Sequence, residues 1–151
     1  MPKYKLLIVS LSSPLLVGVY KDDFLIDSTS SEGKTSDVLL GIVASYLKKY
    51  DISETIYTNG PGSFMAIKLT YVMLRTIEIL TGVRCRGCSG FNFNGEKPIK
   101  AIGDLCFIKE KETIMMKKYT QSAVSHFSLP KSIQDLNVDE ESAPSYVLPA
   151  V

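Results

Sequence analysis

The chain has 151 residues, 45% of them apolar, which suffices for a real core in one domain or two small lobes but excludes a large enzyme with separate substrate and cofactor domains. Seventeen Lys and Arg against sixteen Asp and Glu leave a formal charge of +1, so no global field draws it to nucleic acid and any role on RNA runs through a partner or a local patch. Three cysteines, an odd number, argue against a disulfide framework and fit a reducing cytoplasm.

Lys3 and Lys5 precede an apolar run from Leu6 to Tyr20 that has the outline of a signal peptide. Ser12-Ser13-Pro14 breaks that run, no small-x-small site follows Tyr20, and the span is too short to cross a bilayer, so two strands, Lys5 to Leu11 and Leu15 to Tyr20, are the better account. Lys21-Asp22-Asp23 supplies the next turn and Phe24 to Ser28 a third strand, giving an opening β-meander. After a loop at Ser30 to Lys34, Thr35 or Ser36 is placed to cap a helix through about Tyr50, with Leu39, Ile42, Val43, Tyr46, Leu47 and Tyr50 inward. Its other side carries Asp37, Gly41, Ser45 and Lys48. Gly41 and Ser45, small and one turn apart, fit either a solvated face or the close approach of a second backbone.

Thr55 to Phe64 reads as strand, sharp turn and helix start. Pro61 presets φ for the second position of a turn, Gly62 suits the positive φ that a type II turn needs next, and Ser63 is a natural N-cap. The helix behind it, Phe64 to Leu80, is stopped by Gly82. Lys68 and Arg75 lie on one line with Glu78 beside it, and apolar residues cover most of the remaining circumference. Such a helix wants burial on two sides, either between layers of its own domain or against a partner. Beyond Gly82, Ile99 to Ile108 and Thr113 to Tyr119 read as paired strands joined by Lys109-Glu110-Lys111-Glu112. After Tyr119 no segment is convincingly periodic, and acidic Asn137 to Ala143 reads as an exposed linker.

Three features admit both a chemical and a structural role. Gly60 to Phe64 has the outline of a helix N-terminal anion site, but Pro61 lacks an N–H and no P-loop or Gly-x-Gly-x-x-Gly spacing follows, which favours a structural turn. Cys85-Arg86-Gly87-Cys88 has the spacing of a redox dithiol or half a zinc site, yet only Cys106 and the single His126 remain as further ligands, so buried small hydrophobes are the default. Nothing in the sequence orients His126 toward a nucleophile, and no Asp/Glu spacing suggests paired carboxylates. The residues alone give an α/β domain with surplus apolar helix surface and no catalytic constellation, metal site or cofactor.

Tyr57-Thr58-Asn59-Gly60-Pro61-Gly62-Ser63-Phe64 resembles the TsaB (YeaZ) family, whose members carry a Thr-Asn-Gly-Pro-Gly-Ser-Phe turn before a long helix. The resemblance extends over the meander, the Thr35-Ser36 helix start and Gly82 to Ser89, and returns faintly at Ala143-Pro144-Ser145-Tyr146-Val147-Leu148. It implies an actin-like, Hsp70-like (ASKHA) N-terminal lobe over residues 1–90 and a truncated second lobe over 91–151. It further implies a non-catalytic partner of the related TsaD which, with TsaE and TsaC, makes threonylcarbamoyl-adenosine on tRNA; tRNA is then met only indirectly. Docking is expected through the helices at about Ser36 to Tyr50 and Phe64 to Leu80, at faces carrying Gly41, Ser45, Lys48, Lys68, Tyr71, Leu74 and Arg75, onto TsaD or a second copy. Ser10-Leu11-Ser12 stands where the family usually has an Asp-Thr-Ser-like phosphate loop, and TsaD's His-x-x-x-His motif is absent, which weakens the rival reading of a nucleotide-binding ASKHA enzyme. A peptidase-like protein, the other rival, lacks a nucleophile and base in this sequence.

Overall fold

The computed structural model describes residues 3–11, 14–62, 64–95, 99–100, 105–110, 113–118, 127–139 and 143–144. The chain opens with the expected meander: β1 (Tyr4–Val9), β2 (Leu15–Lys21) and β3 (Phe24–Ser31). Asp22 and Asp23 both take left-handed backbone angles, φ 51° and 69°, so the β2–β3 turn twists in the sense of its strands. Helix α1 (Thr35–Lys49), β4 (Ile52–Gly60), helix α2 (Phe64–Thr81) and β5 (Arg84–Ser89) follow.

These five strands form one mixed sheet in the order β3-β2-β1-β4-β5, with β1 antiparallel to β2 and parallel to β4, and β4 parallel to β5. Central β1 is apolar without alternation because both of its faces are covered. Leu6 and Ile8 join Leu39 and Val43 of α1 and Ile67 and Leu74 of α2 in one core. Leu7 and Val9 meet Tyr20, Ile56, Cys88, Phe93 and Ile133 on the opposite side.

Helix α1 already includes Thr35, so its N-cap falls one residue earlier than expected. Lys34 holds the N-cap position without a side-chain bond, so neither Thr35 nor Ser36 caps the helix. Its far end is tied to β3 instead. Tyr46 and Thr29 share a hydroxyl bond of 2.6 Å, the Tyr50 hydroxyl donates to Asp27 at 2.9 Å, and Lys49 Nζ donates to Asp27 at 3.2 Å. Of the six residues expected to face inward, Leu39, Val43 and Tyr46 are buried, while Ile42, Leu47 and Tyr50 are half-buried at the margin. Helix α2 ends as expected: Gly82 takes φ +79° and its N–H donates to the Glu78 carbonyl at 2.8 Å.

After β5, a single turn of 3-10 helix (Gly90–Phe93) leads toward a smaller antiparallel sheet of β6 (Ile99–Lys100), β7 (Leu105–Glu110) and β8 (Thr113–Lys118). The strand expected from Ile99 to Ile108 is therefore two, paired antiparallel through Ile99 with Phe107. Phe91, Ile99 and Phe107 form its core. Phe127 touches all three apolar clusters, and residues 129–139 then return to the five-stranded sheet on the side away from the helices. No helix among the described residues is long and apolar enough to cross a membrane.

Candidate protein-docking surface

Helix α2 buries a narrow line, Ile67, Thr70 and Leu74, against the sheet. Every third or fourth residue on the opposite side is exposed: Met65, Lys68, Leu69, Val72, Arg75, Thr76, Ile79 and Leu80. Met65 is 78% exposed, Ile79 74% and Leu80 78%, values ordinary for lysine on a solvated helix and not for a continuous apolar line. Thr76 lies on that line with its hydroxyl donating to the Val72 carbonyl at 2.7 Å, which satisfies the polar group within the helix itself.

Helix α1 lies on the same side of the sheet and touches α2. Its outward residues include Leu40, Gly41, Ala44, Ser45 and Lys48. Leu40 is 64% exposed and adds an outward apolar side chain on this second helix, one not expected from the sequence. A Cβ built on Gly41 meets nothing within 4 Å. No contact inside the subunit therefore calls for glycine, a residue that costs a helix interior about 1 kcal/mol relative to Ala.

Of the seven residues expected on this surface, Gly41, Ser45, Lys48, Lys68 and Arg75 are exposed and Tyr71 is half-buried, its ring 6.2 Å from that of Tyr57. Leu74 is a correction. It is fully buried between α2 and the sheet, one turn after Thr70 on the inward line, and belongs to the fold instead of the surface. Arg75 pairs with Glu78, whose other oxygen accepts the Cys85 N–H at 2.9 Å. That backbone bond, followed by Arg75, holds the Glu78 carboxyl below its ordinary range and keeps its charge beside the helix. Among the described residues, Lys48 and Lys68 have no acidic partner, which leaves the surface with a cationic margin.

The turn before α2 differs from the expected type II geometry. Positive φ falls at Gly60 (138°), the Gly60–Pro61 bond is cis, and Gly62 is not among the positive-φ glycines. Gly62 is small for another reason: a Cβ there would stand 2.9 Å from Leu11 Cδ2. Ser63, the expected cap, lies outside the described residues, as does His126. Asn59 is 4% exposed, and its amide donates to Asp139 at 2.7 Å. Asn137 and Asp139 are exposed, as expected of this stretch, but it is no free linker, because Val138 packs on the sheet and Asp139 is bonded to Asn59 and Gly87; residues 140–142 lie outside the description. Nothing local in the sequence signals this pair, whose members are 80 positions apart.

Cys85 and Cys88 are both buried, but Cys85 faces the helix-side core and Cys88 the opposite one. Three residues of extended chain turn side chains to opposite faces, so the two thiols cannot act on one substrate. Burial pushes the Cys85 thiol up to about 11 and raises that of Cys88 further. No cluster of three or more His, Cys, Asp or Glu positioned to hold a metal occurs among the described residues.

No family model and no curated protein matches the chain. Solved structures do. YeaZ from Pseudomonas aeruginosa superposes with a TM-score of 0.55 at 12% identity, over 76% of this chain and 64% of that one. A structure described as an uncharacterized protein with similarity to peptidase YEAZ from Pseudomonas aeruginosa gives a TM-score of 0.54 at 12% identity, over 76% and 63%. The chain spans somewhat less than two thirds of the length of these neighbours, and over that span its mixed five-stranded sheet and two helices share the YeaZ fold.

Proposed function

We propose that this chain is a non-enzymatic scaffold that binds and stabilises a TsaD-like protein in the cytoplasmic machinery that places threonylcarbamoyl-adenosine on tRNA, with TsaE as a further member and tRNA met only through the complex. In this reading residues 1–90 are an ASKHA-type lobe, 91–151 are a reduced second lobe, and no cofactor is required. The observation that carries it is the outward apolar line of α2, Met65, Leu69, Val72, Ile79 and Leu80, continued by Leu40 on α1. Covering each such side chain contributes about 1.5–3 kcal/mol, the driving force of a stable protein complex. Gly41, Ala44 and Ser45 let a partner helix approach α1 closely, and Lys48 and Lys68 favour a partner with an acidic margin.

Leu11 supports the non-enzymatic reading. It is 5% exposed and packs beside Gly62 and Gly90 at the ends of the parallel strands, where α/β proteins commonly hold ligands. Calorimetric heat on adding ATP with Mg²⁺ would instead favour a nucleotide-dependent enzyme, and cleavage of a peptide by the purified chain would favour a peptidase. The test of docking is co-expression with the cognate TsaD-like protein, comparing the native chain with Gly41→Arg. Capture by the native chain and loss in the variant is expected; an equal complex from both removes the interface. A homodimer through the same helices is compatible with this reading and is seen by light scattering.

A further inference from the structure

Residues 129–139 form a strap across the side of the large sheet that faces away from the helices. Tyr20 Oη donates to the Pro130 carbonyl at 2.7 Å, the Leu25 N–H of β3 donates to the Lys131 carbonyl at 2.9 Å, and the Ile133 N–H donates to the Asp23 carbonyl in the β2–β3 turn at 2.9 Å. Ile133, Leu136 and Val138 fill the core on that side. The far end is gripped by β5, where Asp139 N donates to the Gly87 carbonyl at 2.8 Å and Arg86 donates to the Val138 and Asp139 carbonyls at 3.3 and 3.1 Å. Arg86 is itself aligned by Glu54 at 3.2 Å.

The last contact reaches the turn before α2. Asn59 Nδ2 donates to Asp139 Oδ2 at 2.7 Å, and the amide fits only because residue 87 is glycine, whose Cβ would stand 2.5 Å from that nitrogen. The adjoining Thr58 accepts the Ser10 N–H at 3.3 Å, the Ser10 and Thr70 hydroxyls bond at 3.0 Å, and Thr70 donates to the Ala66 carbonyl at 2.8 Å. Bonded groups therefore run from the strap through residues 58 and 59 to the first two turns of α2. Phe64, Met65, Lys68 and Leu69 are exposed there.

We propose that the strap is a conformational device: the hold of Asp139 on Asn59 sets the order of residues 58–62 and of the first half of α2, so whatever loosens the strap also loosens the outward surface. Its bearing on partner capture rests on the docking function proposed above; the coupling inside the chain does not.

Hydrogen exchange read by mass spectrometry on the full chain, native, Asp139→Ala and Asp139→Asn, tests the coupling. Asp139→Ala is expected to speed exchange about tenfold at residues 58–70 and 133–139 while α1 and the β1–β2 pair keep their native rates. Asp139→Asn, which keeps an acceptor for the Asn59 amide, is expected to retain near-native rates at 58–70. Faster exchange confined to 133–139, equal acceleration in every element, or identical profiles for both variants each overturn the proposal. Failure of docking is read separately, as a Gly41→Arg chain whose capture by the TsaD-like protein is undiminished.

Discussion

Leu11 fills the space that Gly90 leaves open: a Cβ at residue 90 would stand 2.1 Å from Leu11 Cδ1. Leu11 is also the neighbour that keeps residue 62 small, so one buried side chain joins the end of β1, the turn before α2 and the short helical turn after β5. Gly90→Ala is expected to cost about 1–3 kcal/mol through overpacking, and Leu11→Ala about 2–5 kcal/mol through the cavity left behind. Because the two residues compete for one volume, the double variant is expected to be less destabilised than the sum of the singles. Urea unfolding of the four chains measures this, and strict additivity would show that the contact does not govern either site.

The inward and outward sides of α2 separate in the same kind of experiment. Leu74→Ala removes a fully buried side chain and is expected to cost about 2–5 kcal/mol. Ile79→Ala, at a position 74% exposed, is expected to stay within about 0.5 kcal/mol of native stability. Equal losses would place Ile79 in the fold and weaken the surface role given to it.

That contrast also marks where the sequence was legible. The meander, both helices and the Gly82 stop follow from strand alternation, helical period and glycine chemistry, and they stand in the structure within a few residues. The phase of α2 did not follow, since apolar residues surround nearly the whole helix and polar Thr70 lies on its buried line, so hydropathy alone gave no reason to place Leu74 inward. The turn misled for a related reason. Either glycine of Gly60-Pro61-Gly62 suits positive φ, and nothing in the local sequence says that Gly60 takes it while Gly62 is needed for its small size beside Leu11, a neighbour distant in sequence. The strap had no signal at all, because an extended segment held by tertiary bonds and scattered apolar anchors has no period to detect.

Acid sensitivity follows from two carboxylates whose native pKa values are lowered. Glu78 is held down by the Cys85 N–H and then by Arg75, and Asp27 by the Tyr50 hydroxyl and then by Lys49. A carboxyl with a depressed native pKa contributes stability that is present above its unfolded value and is lost as pH falls through the native value. The loss begins near the ordinary values of 4.5 for Glu78 and 3.8 for Asp27 and continues below them. Glu78→Gln keeps an acceptor for Cys85 but carries no charge, so the gap in thermal midpoint between native and variant chains is expected to be widest near neutrality and to narrow as pH falls below the ordinary value of 4.5. A gap independent of pH would show that the charge of Glu78 contributes nothing to the fold.

Titration calorimetry of the purified chain into the cognate TsaD-like protein tests the outward surface of α1 and α2 most directly when thermal midpoints are taken on the same samples. Gly41→Arg meets open space and replaces glycine within a helix, so its midpoint is expected to equal or exceed the native one while affinity falls at least about tenfold. Native affinity in a normally folded Gly41→Arg chain would contradict the docking surface.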